Sequence, residues 1–493
     1  MFNILQSVFK IGVIATVSWC ISETAFASAF EPIPSVIQLK KISPTDWEYL
    51  TLESLAQRYD CSTPFTTGQS DRLLTRFEFA LGLKSCLGQL ASITNSQDLL
   101  AWQKLQRDFL PELARLRTRI DEIEVNLAQV ESNQFSPTSK LTGQVLFFLA
   151  DSVGADDSSE IFSGYRTRID FDTSFFGEDL LKVRLENRDV GELDDVTGTL
   201  LSRLSVDGTS DGLTELAEIA YNFEPFSGTE VVLGTAGVGL NDIGEVLNPF
   251  SSSSSGAISR FGRRDPGTLR GAGGAGIGIK QEFGERIFFN AGYLIDSEGI
   301  ASAESDQGIF NSSASTIAQL VIEPQSELAL ALTYTHIYQA QDEVNLMGGT
   351  GIAESNEPFD DDATTADNLS LQINWEVSSK LEVGGWFGYT KAQQRQGGDA
   401  SATILNGALT FAFPDLGAEG NEGGIIIGVP PAIANHDDES LIAESTPIHI
   451  EALYRISLDE KIEITPGVFA IINPDTENGA TLWIGTIRTR FSF

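Results

Sequence analysis

At 493 residues, with 32 Lys and Arg against 69 Asp and Glu, the chain carries a formal net charge of −37. That excess of acid excludes a protein held on nucleic acid by phosphate contacts. Three histidines, His336, His436 and His449, stand at no metal-ligand spacing, so no metal, no cofactor and no enzyme is expected. The 41% hydrophobic and 20% charged composition would pass for a soluble protein, and it equally fits a barrel whose strands give half their residues to water.

Residues 1–27 read as a secretory signal peptide. Lys10 precedes the apolar run Ile11 to Ile21, and Ala25-Phe26-Ala27 offers a small-residue cleavage site. The run is too short for a spanning helix, and no later segment reaches the roughly 18 apolar residues that one requires. Export leaves Cys61 and Cys86 in one small region, either as a disulfide or as two buried free thiols.

Residues 42–95 read as a small helical module. A first helix starts near Asp46, with Trp47, Leu50, Leu55 and Tyr59 on its inner face. A second begins at Thr75, where Glu78 three positions on completes a capping box and Phe77, Leu81 and Leu83 supply apolar surface. Asp46-Trp47 followed by Leu74-Thr75-Arg76-Phe77-Glu78-Phe79-Ala80 resembles an S-layer-homology domain. The resemblance implies binding of peptidoglycan-linked polysaccharide, with Trp47 and Arg76 on the sugar. The family's Gly-aromatic stretch is reduced here to Phe65 and Gly68. A helical plug or spacer without ligand is the alternative.

Residues 96–134 follow with heptad spacing. Leu113, Ile120 and Leu127 share one position, and Phe109, Leu116, Ile123 and Val130 the other. The stripe predicts a coiled coil of several chains, interrupted near Pro111, reaching roughly 54 Å into the periplasm. The alternative is a helix packed on its own chain.

From Lys140 to Phe493 the chain reads as amphipathic β-hairpins. Thr446, Ile448, Ile450, Ala452, Tyr454 and Ile456 alternate with Pro447, His449, Glu451, Leu453 and Arg455. Leu381 to Lys391 and Lys461 to Ala470 repeat the pattern. Short connections, such as Phe175–Asp179 and Pro324–Ser326, alternate with long polar ones near Gly191–Gly212, Asn241–Gly271, Gln339–Thr365 and Pro431–Glu444. Seven short turns imply about 16 strands in a transmembrane antiparallel β-barrel over 140–493. A soluble sandwich is the competing architecture. The final strand ends on Phe493, which resembles the assembly signal of outer-membrane barrels and implies the barrel assembly machinery as a partner. Acidic runs such as Asp360-Asp361-Asp362 are solvated loops, or sites where divalent cations bridge to lipopolysaccharide.

Lumen-facing side chains decide what such a channel passes. Alternation puts Arg166, Arg168, Lys182, Arg184, Arg188, Arg488 and Arg490 on the inner face, where closure would join them into one basic wall. The third external loop, Asn241–Gly271, carries Ser259-Arg260-Phe261-Gly262-Arg263-Arg264 and then Arg270. Four arginines in so acidic a chain are expected to line the narrowest zone, or else to pair with carboxylates or lipopolysaccharide phosphates.

The order of signal peptide, S-layer-homology module, coiled coil and barrel, with Phe135-Ser136-Pro137-Thr138 before the first strand, resembles the cyanobacterial outer-membrane porins with an OprB-type barrel. The resemblance implies a homotrimer in the outer membrane with its N-terminal domain in the periplasm. It also implies a tether to the wall and passive permeation of small solutes, inorganic iron included. The competing function is a structural tether with a nearly closed barrel.

Overall fold

Period-two alternation becomes a closed wall when each strand's apolar face turns outward. The computed structural model describes residues 41–59, 61, 73–86, 95–119, 139–154, 159–303, 307–442, 445–475 and 479–493. The signal peptide, Phe65, Gly68 and the heptad positions Ile120, Ile123, Leu127 and Val130 lie outside these residues. The chain divides into two units at residues 134 and 135.

In the first unit, α1 (Trp47–Arg58), α2 (Arg76–Ser85) and α3 (Ser96–Asp108) share one core. A two-residue β pairing, Ile42 opposite Leu74, leads into α2. Thr75 and Glu78 form the capping box, with Thr75 N donating to Glu78 Oε2 at 2.8 Å and Glu78 N to Thr75 Oγ1 at 3.2 Å. Cys61 and Cys86 are joined as a disulfide within the core. The buried face of α1 is Tyr49, Leu52, Leu55 and Ala56, while Trp47 and Leu50 are exposed. Of the expected stripe, Leu55 is buried and Tyr59 packs on the core, while Trp47 and Leu50 point away from it. The residues facing α3 decide the face, and Arg58 fixes it by pairing with Asp98 at 2.8 Å. In α2, Phe79, Ala80 and Leu83 are buried and Leu81 is exposed. Phe109, Leu113 and Leu116, half of the heptad stripe, pack on this same core. Helix continues over residues 110–119, and that part of the stripe is satisfied within its own chain.

The second unit is a closed antiparallel barrel of 16 strands. They are β1 (Ser139–Val153), β2 (Phe162–Thr173), β3 (Leu180–Val190), β4 (Glu215–Phe226), β5 (Thr229–Val238), β6 (Gly274–Glu282), β7 (Ile287–Asp296) and β8 (Ala314–Gln325). There follow β9 (Leu328–Gln339), β10 (Thr364–Ser378), β11 (Leu381–Gln394), β12 (Ser401–Pro414), β13 (Glu422–His436), β14 (Ile448–Asp459), β15 (Ile462–Ile472) and β16 (Leu482–Ser492). Closure joins β16 to β1 in register from Trp483 opposite Val153 to Ser492 opposite Gln144. Phe493 extends the ladder, its N–H donating to Gly143 O at 3.0 Å and its carbonyl accepting from Gly143 N at 2.8 Å.

The two faces of β10 decide between a soluble sandwich and a membrane wall. Leu369, Leu371, Ile373 and Trp375 are 37–57% exposed, whereas Asn368, Ser370 and Gln372 on the opposite face are buried. Apolar side chains are outside and polar ones inside, the arrangement of a barrel in lipid. Among the described residues no helix is long and apolar enough to cross a membrane. Pro430 and Pro431 lie within β13, which runs on to His436, beyond the Pro431 at which the sequence pattern starts the long connection. They sit where the β12 pairing shifts register between Leu405 and Gly407, above the last β14 partner, Gly428, so their missing N–H groups cost no ladder bond.

The short turn between β2 and β3 is organised by one carboxylate. Asp179 accepts from Phe176 N at 2.7 Å, Phe175 N at 3.0 Å, Ser174 Oγ at 2.9 Å and Tyr221 Oη at 3.0 Å. Desolvation alone would raise its pKa, but these donors outweigh it and hold the group at about 2. The folded value lies below the ordinary carboxylate value of about 3.9, so the turn's contribution is whole above that pH and lost as pH falls toward 2. In thermal melts, the wild type is expected to lose stability on that descent and Asp179→Asn to lose less of it.

Candidate functional site

Inside the wall the lumen is not empty. The third external loop, residues 239–273, folds inward and is bonded to lumen-facing side chains on several sides. Glu245 N donates to Gln319 Oε1 of β8 at 2.6 Å, and Leu247 N to Gln372 Oε1 of β10 at 3.1 Å. Farther along, Ile258 N donates to Glu451 Oε1 of β14 at 2.6 Å. Arg488 of β16 donates to the carbonyls of Ser253 at 3.2 Å, Gly256 at 2.6 Å and Ala257 at 3.3 Å. Arg166 reaches Ser253 Oγ at 3.0 Å from β2. The loop segment 253–259 therefore has its carbonyls on a buried cation and its amides on a buried anion, each matched to the dipole it meets. A cavity of about 570 Å³ is lined by Glu245 and Leu247 of the loop together with Glu230, Lys280, Asn290 and Glu323 of the wall and Glu178 of a short turn.

Two other external loops, the second (residues 191–214) and the fifth (residues 340–363), reinforce the third. Ser205 N of the second loop donates to Ile258 O at 2.9 Å, and Arg260 N donates to Arg203 O at 2.9 Å. From the fifth loop, Gly348 O accepts from Arg260 Nε at 2.9 Å. The four arginines of the third loop are half-buried, and Arg260, Arg263 and Arg270 are held by neutral oxygens. Arg263 donates to Ser251 O at 3.0 Å and Ser205 O at 3.5 Å, and Arg270 to Arg260 O at 2.6 Å. Of the four, only Arg260 has a carboxylate within reach among the described residues, Asp207 at 4.0 Å. Pairing with carboxylates, the alternative open at the sequence level, is not what holds them.

The wall itself corrects an expectation. Arg166, Arg168, Lys182, Arg184, Arg188, Arg488 and Arg490 do face inward, but most are neutralised. Register places Arg168 opposite Glu186 and Asp170 opposite Arg184, and both couples are ion pairs, the second at 2.7 Å. Arg184 also meets Glu218 at 2.8 Å, Lys182 meets Glu218 at 3.6 Å, Arg188 meets Glu186 at 3.6 Å and Arg490 meets Glu463 at 2.7 Å. Arg166 and Arg488 are the two without a carboxylate partner among the described residues, and both are committed to the third loop. Instead of a basic wall the lumen has a mixed-charge ladder. Of the wall and loop cations named, those without a carboxylate among the described residues are Arg166 and Arg488, which reach the loop, and Arg263, Arg264 and Arg270 of the loop itself.

His449 faces the lumen with Ser259 and Glu451 beside it. Its Nε2 is 3.3 Å from Ser259 Oγ and 3.2 Å from Glu451 Oε2, and Nδ1 has no partner. A serine relay requires the hydroxyl and the acid on different ring nitrogens. Here both meet one nitrogen, and all three side chains are buried. The cluster is an anchor for the loop. Neither it nor Asp207 is legible in the sequence, because only folding brings residues of β14 and the second loop to Ser259 and Arg260.

In the helical module the two expected sugar contacts differ in availability. Trp47 is exposed, with Lys104 Nζ 3.9 Å from its ring centroid. Arg76 lies 4.2 Å over the Phe109 ring and pairs with Glu112 at 2.6 Å, so its charge is engaged inside the module.

A 16-strand barrel with polar interior, lipid-facing apolar belt and an inward-folded third loop is the architecture of a porin. Comparison with known proteins agrees. The family model described as carbohydrate-selective porin, OprB family, matches residues 96–493, and the chain belongs to that family. As a member of that family it is a passive channel of the outer membrane. The uncharacterized protein sll0772 of Synechocystis sp. is 33% identical over 94% of this chain and 91% of its own length. The uncharacterized protein alr4550 of Nostoc sp. is 31% identical over 94% of this chain and 86% of its own. Pseudomonas putida OprB, solved at high pH, shares the fold at a TM-score of 0.50 and 12% identity, over 72% of this chain and 94% of that one.

Proposed function

We propose that the protein is a homotrimeric pore for small polar solutes and inorganic ions, leaning toward anions at a constriction built by Arg260, Arg263, Arg264 and Arg270. The observation that carries this reading is that Arg260, Arg263 and Arg270 are bonded to neutral carbonyls and Arg264 has no carboxylate partner among the described residues, while most of the wall cations are paired. Uncompensated charge in a narrow, water-filled zone raises the local concentration of the opposite ion. Iron uptake enters only through the likeness to cyanobacterial porins. The helical module, placed in the periplasm, would tether the barrel to peptidoglycan-linked polysaccharide. Exposed Trp47 supports that role, and Arg76 would position the module instead of gripping the sugar.

The test is single-channel conductance of the purified protein in a planar bilayer, with the reversal potential under a salt gradient. Triplets of open steps with anion preference are expected. Replacing Arg260, Arg263 and Arg264 together by Ala should remove that preference, and unchanged selectivity would discard the constriction. Entry of three long loops into the lumen favours a second reading, a wall tether with a nearly closed barrel. A folded, inserted protein that never conducts would establish it.

A further inference from the structure

The constriction arginines have far more donors than the protein uses. Four guanidiniums offer roughly 20 N–H groups. Among the described residues their acceptors are Gly348 O for Arg260, Ser251 O and Ser205 O for Arg263, and Arg260 O for Arg270. Arg264 has no acceptor among these residues, and the Nε atoms of Arg264 and Arg270 are buried without a partner. Asp207, the carboxylate at hand, is already gripped by Arg203 at 3.0 and 3.1 Å.

The fifth loop approaches closely at the same point. Gly348 and Gly349 have φ of +59° and +66° and carry no side chain. A Cβ on Gly348 would lie 2.9 Å from Arg270 Cβ, and one on Gly349 would lie 2.6 Å from Arg203 Nη1. Arg203, Arg260 and Arg270 thus surround one glycine pair, with Arg260 bonded to its first carbonyl. A side chain at either position would collide with Arg270 or Arg203 and push these cations from their places.

We infer that these arginines form a weak, saturable binding site for a doubly charged tetrahedral oxyanion, of the sulfate or hydrogen phosphate class. The inference rests on reading the third loop as the constriction. Planar guanidinium forks match the spaced oxygens of such an anion two at a time, which a spherical chloride does not offer. Crowded cations without carboxylates gain most from an ion that several of them share. Carbonyl bonds orient Arg260, Arg263 and Arg270, so the forks are held before the anion arrives. A transient occupant of this kind fits conduction, which needs binding strong enough to enter and weak enough to leave.

The experiment is chloride current through the full-length protein in a planar bilayer, at fixed chloride, with sodium sulfate added as the probe. Saturating block is expected, with half-block in the millimolar range. Arg270→Lys keeps the charge but loses the fork, and should raise the half-blocking concentration roughly tenfold while the reversal potential keeps its sign. Arg264→Gln, which breaks no hydrogen bond among the described residues, should raise it by a similar factor. Anion-preferring current that falls without saturation, or equal block in both variants and wild type, overturns the oxyanion site alone. A cation-preferring wild type overturns the constriction reading beneath it.

Discussion

Arg488→Met is expected to widen the pore without unmaking the barrel. Arg488 is 1% exposed and bonds three carbonyls of the third loop, with Ser205 Oγ of the second loop at 3.4 Å. Hydrogen bonds from a charged donor are worth roughly 1.5–3 kcal/mol each. Methionine keeps the length of the side chain but offers no donor, leaving the carbonyls of Gly256 and Ala257 buried and unpaired and that of Ser253 with Ser205 Oγ alone at 3.3 Å. Water can satisfy them only if that segment lifts from β16. The strand pairings of β15, β16 and β1 are backbone ladders and do not depend on this side chain. Single-channel conductance should rise on the order of twofold, with noisier steps, while heat-modifiable migration of the folded barrel is retained. Quiet steps of wild-type size would show that Glu451 and the wall glutamines hold the loop unaided.

The contrast between this loop and the wall marks how far the sequence can be read. Alternation in segments such as Thr446 to Ile456 identifies strands and separates lipid face from lumen face, because a strand's two faces meet different solvents. Counting short turns then yields the 16 strands. Alternation carries no register, however. It places Arg168, Arg184 and Arg490 inward correctly, but their partners Glu186, Asp170 and Glu463 are fixed by which residues stand opposite across the ladder. The same limit applies to α1, where Trp47 and Leu50 are as eligible for burial as their neighbours until α3 selects Tyr49, Leu52 and Ala56. The arginines of the third loop are legible for a compositional reason, since basic residues are scarce in this chain. Arg203, Asp207, Glu451 and Gly348–Gly349 carry no such mark, and their role arises only where three loops meet.

Gly237→Val is expected to damage the barrel more than any lumen substitution. Gly237 lies near the end of β5 with φ +69°, a conformation that costs a β-branched residue roughly 1–2 kcal/mol. The larger penalty is steric. A Cβ there would fall 1.8 Å from Ala217 O and 2.8 Å from the carbon that bears it, both backbone atoms of β4. Register between β4 and β5 already shifts next to this point, where Ile219 faces Ala236 and Ala220 faces Gly234. A bulge closed this tightly cannot yield to a side chain without parting the two strands, and Gly239, where the third loop departs, is two residues on. Strain and overlap together are expected to exceed about 4 kcal/mol, seen as a large drop in the heat-modifiable, protease-resistant fraction recovered from membranes. Gly212→Asn separates the two causes. Gly212 has a similar φ of +75°, but a Cβ there would meet nothing within 4 Å, so Asn should be tolerated at that position and not in Gly237→Asn. Wild-type assembly of Gly237→Val would mean that the bulge can move into the lipid-facing side of β5 without loss of closure.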